Sequence, residues 1–327
     1  MEIQKEKTPS YLKIFIVLIL CGLSGMTCGP LMKIQMASGI SPMWVAFLRQ
    51  AAFVLLFCPI GFFKKQYRQE IKSLSKKSII LCGVSGLLLT AYFILWILAL
   101  KYTSSFNTVT VICSQFIFIA LLGFIFLKEK LGKIAIIGAV AAFIGIGLIG
   151  YSDWTAIGDW YGTAIAAGSA FMLASYWIVG RVVRREISVI PYMSIINIIS
   201  GILLGILAVL IGGPLRPLSF YDVGIVLMVM LFGSVFGHLG PNWSVKYITS
   251  EVFGITQLFN PVYTFIDAAL IAWIFNTPYE SMQLIAVIGC VIIVLGIATY
   301  MYLKNKENLK KAKMNQNSVN ISEEITG

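Results

Sequence analysis

Four polar side chains stand deep in long apolar stretches. Arg49 in "WVAFLRQAAFVLLF" and Asp267 in "NPVYTFIDAALIAWIF" carry charge, and Gln115 and Asn260 carry amides. An ionisable group inside a membrane helix costs about 2.5–3.5 kcal/mol, so it is expected to face the bundle interior or a water-filled cavity. A buried amide there has only protein groups or a bound solute as hydrogen-bond partners. The chemistry on offer is therefore reversible ion pairing and hydrogen bonding. Covalent catalysis needs clustered nucleophiles, acids or metal ligands, which one histidine, six scattered cysteines and few acids do not supply. No metal site or cofactor is expected.

Arg49 and Asp267 sit about 10 Å and about 13 Å below the same membrane face by the helical rise. That similar depth predicts an ion pair, serving either as a gate or solute clamp or as a buried structural pair. Gln115 and Asn260 each fall near the middle of an apolar run, where they would contact a solute or bond between helices. Pro261 removes a backbone donor and frees a carbonyl one turn earlier, adding an acceptor at that level. In "GHLGPNWSVKYITS", residues 237 to 250, Gly240-Pro241 is expected to bend the helix and turn His238, Asn242 and Trp243 inward. His238 titrates near neutrality and would carry a coupling proton, unless it only hydrogen-bonds near the interface. Trp243 serves equally as an interfacial anchor. Tyr92 and Trp96 offer faces to a planar or cationic solute, or pack as ordinary aromatics.

The elements that must position these groups are membrane helices. Of 327 residues, 58% are hydrophobic and 12% charged, too little polar surface for a soluble domain. Crossing about 30 Å of hydrocarbon takes roughly 20 helical residues. Ten runs fit, at 12–36, 42–62, 78–100, 104–127, 133–150, 158–180, 190–211, 222–245, 249–276 and 282–303. Strand alternation is absent, which predicts an all-α membrane protein of ten helices. The first run is too long for a cleavable signal peptide. The six cysteines all lie within apolar runs and read as small core residues.

A net charge of +11 would suit nucleic acid, but its distribution points to the membrane. With the N-terminus in the cytoplasm, every basic residue except Lys33, Arg49, Lys101 and Arg216 falls in a cytoplasmic segment. The positive-inside rule then places both termini in the cytoplasm and predicts contact with anionic lipid rather than nucleic acid. Residues 1–11 form a cytoplasmic N-terminus, and the polar tail 304–327 is expected to be disordered.

The chain also repeats itself. "ALKYTSSFNTVTVICSQFIFIALLGFIFLKEKL" from Ala99 matches "SVKYITSEVFGITQLFNPVYTFIDAALIAWIF" from Ser244 at an offset of 145 residues, aligning Gln115 with Asn260. Gly237 at that offset meets Tyr92, so the Tyr92–Trp96 stretch is the counterpart of the His238–Trp243 stretch. Two five-helix units, 12–150 and 158–303, follow, joined by a short loop at 151–159. An odd number of crossings inverts the second unit.

With these motifs the chain resembles the drug/metabolite transporter superfamily and, within it, the EamA-type carriers of ten helices. The resemblance rests on Arg49 in its run, on "ALKYTSS…FLKEKLG" and on "GHLGPNWSVKYITSEV…NPVYTFIDAALIAWIF". It implies alternating-access transport of a small metabolite across a prokaryotic cytoplasmic membrane. Asn260-Pro261 stands where related carriers often have Glu-Pro, and "IFNTP" where they have a second "FLxE", so carboxylate chemistry at those positions does not transfer. A Walker motif is missing, which argues against a self-contained primary pump. A pseudo-twofold monomer lacks the symmetric rings of a selectivity filter. The expected cargo is amino-acid-like. A nucleoside-like or cationic compound, or a sensor or scaffold role without transport, are the alternatives. Protons or an exchanged metabolite are possible coupling partners. The G-x-x-x-G pairs Gly25/Gly29 and Gly201/Gly205 fit packing within the bundle as well as a homodimer.

Overall fold

Pro30 decides where the first helix breaks. Its ring has no N–H and clashes with the carbonyl four residues earlier, at Met26. The helix accordingly stops at Met26 and resumes at Cys28, giving α1 (Tyr11–Met26) and α2 (Cys28–Ala37). The interruption falls at Thr27, one turn before the Gly29-Pro30 pair itself. The computed structural model describes residues 11–127, 133–157, 160–184, 186–237, 259–276, 283–299, 302, 303 and 306.

Helix α3 (Pro42–Leu56) opens with proline at its first position, where no N–H is needed. A short turn, α4 (Ile60–Phe63), and a basic exposed helix, α5 (Lys65–Lys72), lead to the long α6 (Lys76–Tyr102). Helix α7 (Ser105–Cys113) is capped by Ser104, whose hydroxyl accepts the Asn107 N–H. It breaks at Ser114, and α8 (Gln115–Leu127) follows. Then come α9 (Lys133–Ile157), α10 (Tyr161–Val183) and α11 (Val189–Ile211). Helix α12 (Phe220–Met228) passes into a π-helical segment, Val229–Phe236. Helices α13 (Asn260–Phe275) and α14 (Leu284–Thr299) complete the described fold, in which no strand occurs among the described residues.

Among the described residues six helical segments are long and apolar enough to cross a membrane: Ile16–Ala37, Pro42–Phe63, Lys76–Tyr102, Ser105–Gly123, Tyr161–Gly180 and Val189–Ile211. Phe220–Phe236, α13 and α14 are shorter apolar helices. Leu55, Ile80, Leu210 and Trp273 are exposed, as lipid-facing side chains are. The chain is a multi-pass membrane protein.

In lipid the hydrophobic effect does not drive helices together, so close packing must. Helices α6, α10, α11 and α3 pack together around fully buried Ile97, Tyr192, Ile196 and Leu204. Helix α1 meets the π-helical segment through glycines: a Cβ on Gly237 would lie 2.8 Å from the Gly25 Cα. Gly25 therefore serves packing inside the bundle.

The expected loop at 151–159 is a correction. Helix α9 continues to Ile157. Asp153, one of the polar residues that suggested a loop, is satisfied by side chains from outside its own helix. The Asp153 carboxylate accepts hydrogen bonds from the Thr103 hydroxyl and the Asn107 amide, both at 2.8 Å, and from the Thr163 hydroxyl.

A closed polar cavity as the candidate functional site

Arg49, about two turns into α3, is only 3% exposed. Its guanidinium carbon sits 4.3 Å from the ring centre of Phe93 and 5.4 Å from that of Trp96, both on α6. Cation–π contact of this kind contributes about 0.5–2 kcal/mol, the larger values when water is excluded. Tyr92 and Trp96, one helical turn apart, present parallel rings 6.1 Å between centres and 5° between planes. Three of the expected site residues, Arg49, Tyr92 and Trp96, thus share one locality.

The next residue, Gln50, supplies a second polar group at the same level. Its amide nitrogen donates to the Asn197 side-chain oxygen at 2.7 Å and to the Asn197 carbonyl at 3.2 Å. The Asn197 amide in turn donates to the Met193 carbonyl at 2.7 Å, which fixes its orientation on α11. Ser234, from the π-helical segment, brings a buried hydroxyl. These groups, with Tyr92, Phe93, Tyr176 and Trp177, enclose a cavity of about 30 Å3. That is the room of roughly one water molecule. Arg49, Gln50, Asn197 and Ser234 bring polar groups to a lining that is otherwise mostly apolar.

Gln50, Asn197 and Ser234 are absent from the sequence-based site. Each carried the signal that singled out Gln115: a polar side chain inside an apolar run. The other expected residues lie elsewhere. Gln115 is the first residue of α8, buried, with its side-chain oxygen lacking a hydrogen-bond partner. Asn260 is the first residue of α13 and is likewise buried. Neither lines the cavity. The two repeat-matched amides do share a local setting, since each begins a helix. His238, Asn242 and Trp243 lie outside the described residues, as does the Gly240-Pro241 bend.

The expected Arg49–Asp267 ion pair is not formed. Arg49 faces the aromatic rings and the thiol of Cys28, whereas Asp267, 5% exposed on α13, has a carboxylate oxygen without a hydrogen-bond partner. Helix α13, which carries Asp267, packs chiefly against α7, α1 and α2, whereas α3, which carries Arg49, packs chiefly against α11, α6 and the π-helical segment.

Polar ties close both ends of the bundle around the cavity. At one end Arg216, in the α11–α12 connection, binds the Asp222 carboxylate and the Ser38 carbonyl just past α2. At the other end Glu186, between α10 and α11, accepts from the backbone N–H and hydroxyl of Ser75, each at 3.3 Å. The Ser188 N–H donates to Glu70 at 2.9 Å. Hydrogen bonds from the hydroxyls of Ser78 and Ser75 and the Ser75 N–H hold the Glu186 carboxyl below the usual glutamate range.

A second recess of about 350 Å3 lies between α9 and α10, lined by Tyr151, Trp154, Trp160 and Thr163. It is broad, open and nearly all apolar, the character of an aromatic belt at a membrane interface. The convergent polar groups belong to the closed cavity instead.

The model of the EamA-like transporter family matches this chain twice, over residues 12–151 and 160–302. An uncharacterized transporter of Bacillus subtilis, YyaM, is 25% identical over 260 residues, covering 75% of this chain and 78% of that protein. An uncharacterized transporter of Archaeoglobus fulgidus is 25% identical over 265 residues, covering 79% and 88%. One solved crystal structure shares the fold with a TM-score of 0.57 and 16% identity, over 91% of this chain and 99% of that one.

Proposed function

The chain belongs to the EamA-like transporter family, and on that premise we propose that it is a secondary carrier. Its cargo is a small polar or amphipathic metabolite, amino-acid-like in size, moved across the cytoplasmic membrane by alternating access. One observation carries the reading. Arg49 and Gln50 from the first matched repeat meet Asn197 and Ser234 from the second around a single enclosed cavity. Lipid rejects all four groups, and a solute site between repeats is the arrangement that uses them. Ten crossings, an inverted second repeat and cytoplasmic termini complete the proposed architecture, supported by the apolar runs and the distribution of lysine and arginine.

The ties at the two ends fit an occluded stage of such a cycle, from which one end or the other is released. A nucleoside-like or cationic cargo is the second reading, and the parallel Tyr92 and Trp96 rings favour it. Counterflow in proteoliposomes tests transport directly. Liposomes preloaded with unlabelled amino acids, nucleosides or amines should accumulate the matching labelled compound faster than protein-free liposomes. A protein that melts cooperatively yet exchanges none of these would point to the sensor or scaffold role.

A further inference from the structure

Two hydrogen-bond donors in the cavity wall are left over once the protein's own bonds are counted. The Arg49 Nε and the Ser234 hydroxyl are both buried, and neither has a hydrogen-bond partner. Arg49 is 3% and Ser234 4% exposed, and both line the same small cavity. Buried donors are normally satisfied, so two orphans on residues that line one cavity call for an explanation. Arg49 forms no ion pair with a described carboxylate, and among the described residues no acidic side chain lines the cavity. Among the described residues its positive charge is met by the faces of Phe93 and Trp96 and by the Cys28 thiol.

We propose that the Arg49 guanidinium and the Ser234 hydroxyl form a receptor for a carboxylate, so that the cargo is a small organic acid with an apolar or aromatic body. The inference rests on the carrier reading and narrows its cargo. A guanidinium presents parallel donors that match the two oxygens of a carboxylate. Gln50 and Asn197 are already bonded to each other, whereas the Arg49 Nε and the Ser234 hydroxyl are buried without a partner. Tyr92, Phe93, Tyr176 and Trp177 supply apolar walls for the body of the ligand. A cationic ligand would meet the Arg49 charge at short range in a low-dielectric site, so the same residue discriminates against amines. An amino group beside the carboxylate is not required.

The test uses purified full-length protein and two sets of matched probes. One set is leucine, leucinamide, isoamylamine and isocaproate; the other is phenylalanine, phenylalaninamide, phenethylamine and hydrocinnamate. Affinity is read from ligand-induced thermal stabilisation, and exchange from counterflow in proteoliposomes. The acids with and without an amine should bind, and the amides and amines should bind at least about tenfold more weakly, the loss of one strong charge-assisted contact. Arg49→Gln should remove the preference for acids, whereas Arg49→Lys, keeping charge without the planar fork, should retain part of it. The probe series on the wild-type protein stands even where a variant does not fold. Amides or amines binding as well as acids would overturn the carboxylate receptor, as would an Arg49→Gln protein with an unchanged preference or the failure of every acid to bind. Exchange of the amines without the acids would overturn it while leaving the carrier reading intact. Loss of the carrier reading has a different signature: acids that bind but never cross.

Discussion

Arg216 grips Asp222 through both terminal nitrogens, at 2.9 and 2.8 Å, while its Nε donates to the Ser38 carbonyl at 2.9 Å. Asp222 is 1% exposed and also closes a capping box with Ser219 at the start of α12. A single contact set thus starts one helix and ties it to the end of another, from the other matched repeat.

Breaking that tie should loosen one end of the bundle more than it unfolds the whole. Arg216 is 36% exposed, so solvent screens the pair, and a double-mutant cycle over Arg216→Ala and Asp222→Asn should give a coupling of about 1 kcal/mol. In a background without native cysteines, a cysteine replacing Ser234 should react faster with an impermeant thiol reagent when Arg216 is alanine. Equal labelling rates would show that the tie does not guard the cavity.

The Gln50–Asn197 pair should behave as a unit. Gln50→Leu leaves the Asn197 oxygen buried without its donor, a loss of about 1–3 kcal/mol. Adding Asn197→Leu should return much of that stability, because both polar groups are then gone. Melting temperatures of the two single variants and the double variant, by dye-reported unfolding in detergent, settle it. Additive losses would mean that the hydrogen bond contributes little.

Gln115 makes a contrasting case. Its side-chain oxygen is already buried without a partner, so Gln115→Leu removes a desolvated acceptor rather than a bond. Stability should hold or rise. If counterflow collapses in this stable variant, the amide contacts the cargo on its path; normal exchange would make it a packing residue.

At the Gly25–Gly237 crossing there is no room for a side chain. Gly237→Ala places a methyl 2.8 Å from the Gly25 Cα, and shifting two helix backbones apart should cost about 1–3 kcal/mol. Gly83, with nothing within 4 Å of its Cβ position, is the control: Gly83→Ala should be neutral or slightly stabilising. Similar melting temperatures for the two variants would rule out a tight crossing.

Acid should release the opposite end. The Glu186 carboxyl is held below its ordinary range by Ser78 and Ser75, so its bonds contribute fully above the ordinary glutamate pKa of 4.5. The contribution fades as pH falls through the lowered value. Proteolysis or thiol labelling near Ser75 should therefore accelerate on acidification below that range. Glu186→Gln should flatten this dependence, and a variant that keeps the wild-type pH profile would assign the effect to another group.

Part of this arrangement was legible in the chain alone. The cost of burying charge singled out Arg49, and the repeat offset from the His238–Trp243 stretch supplied Tyr92 and Trp96. Gln50 and Asn197 carry the same polar signal, but neither has a polar counterpart at the repeat offset, where Ile195 and Ala52 stand. Preference for repeat-matched amides passed them over. Their pairing depends on α3 lying against α11, a non-local fact that periodicity does not encode. The Arg49–Asp267 pairing failed for a related reason: which helices lie side by side is also non-local, and α13 packs chiefly against α7 and α1 rather than α3. The π-helical stretch had no signature either, because Val229–Phe236 is ordinary apolar sequence.

That stretch has a mechanical consequence. A π-helix turn holds more residues than an α-helix turn, so Val229–Phe236 stores surplus chain inside an otherwise continuous rod. Passing the surplus one residue along the helix re-forms hydrogen bonds as it breaks them, and turns the residue it passes by about 100°. Ser234 rides on this segment. A local swap of hydrogen-bond partners therefore suffices to swing its hydroxyl out of the cavity and back, a screw-like stroke that leaves the helix whole.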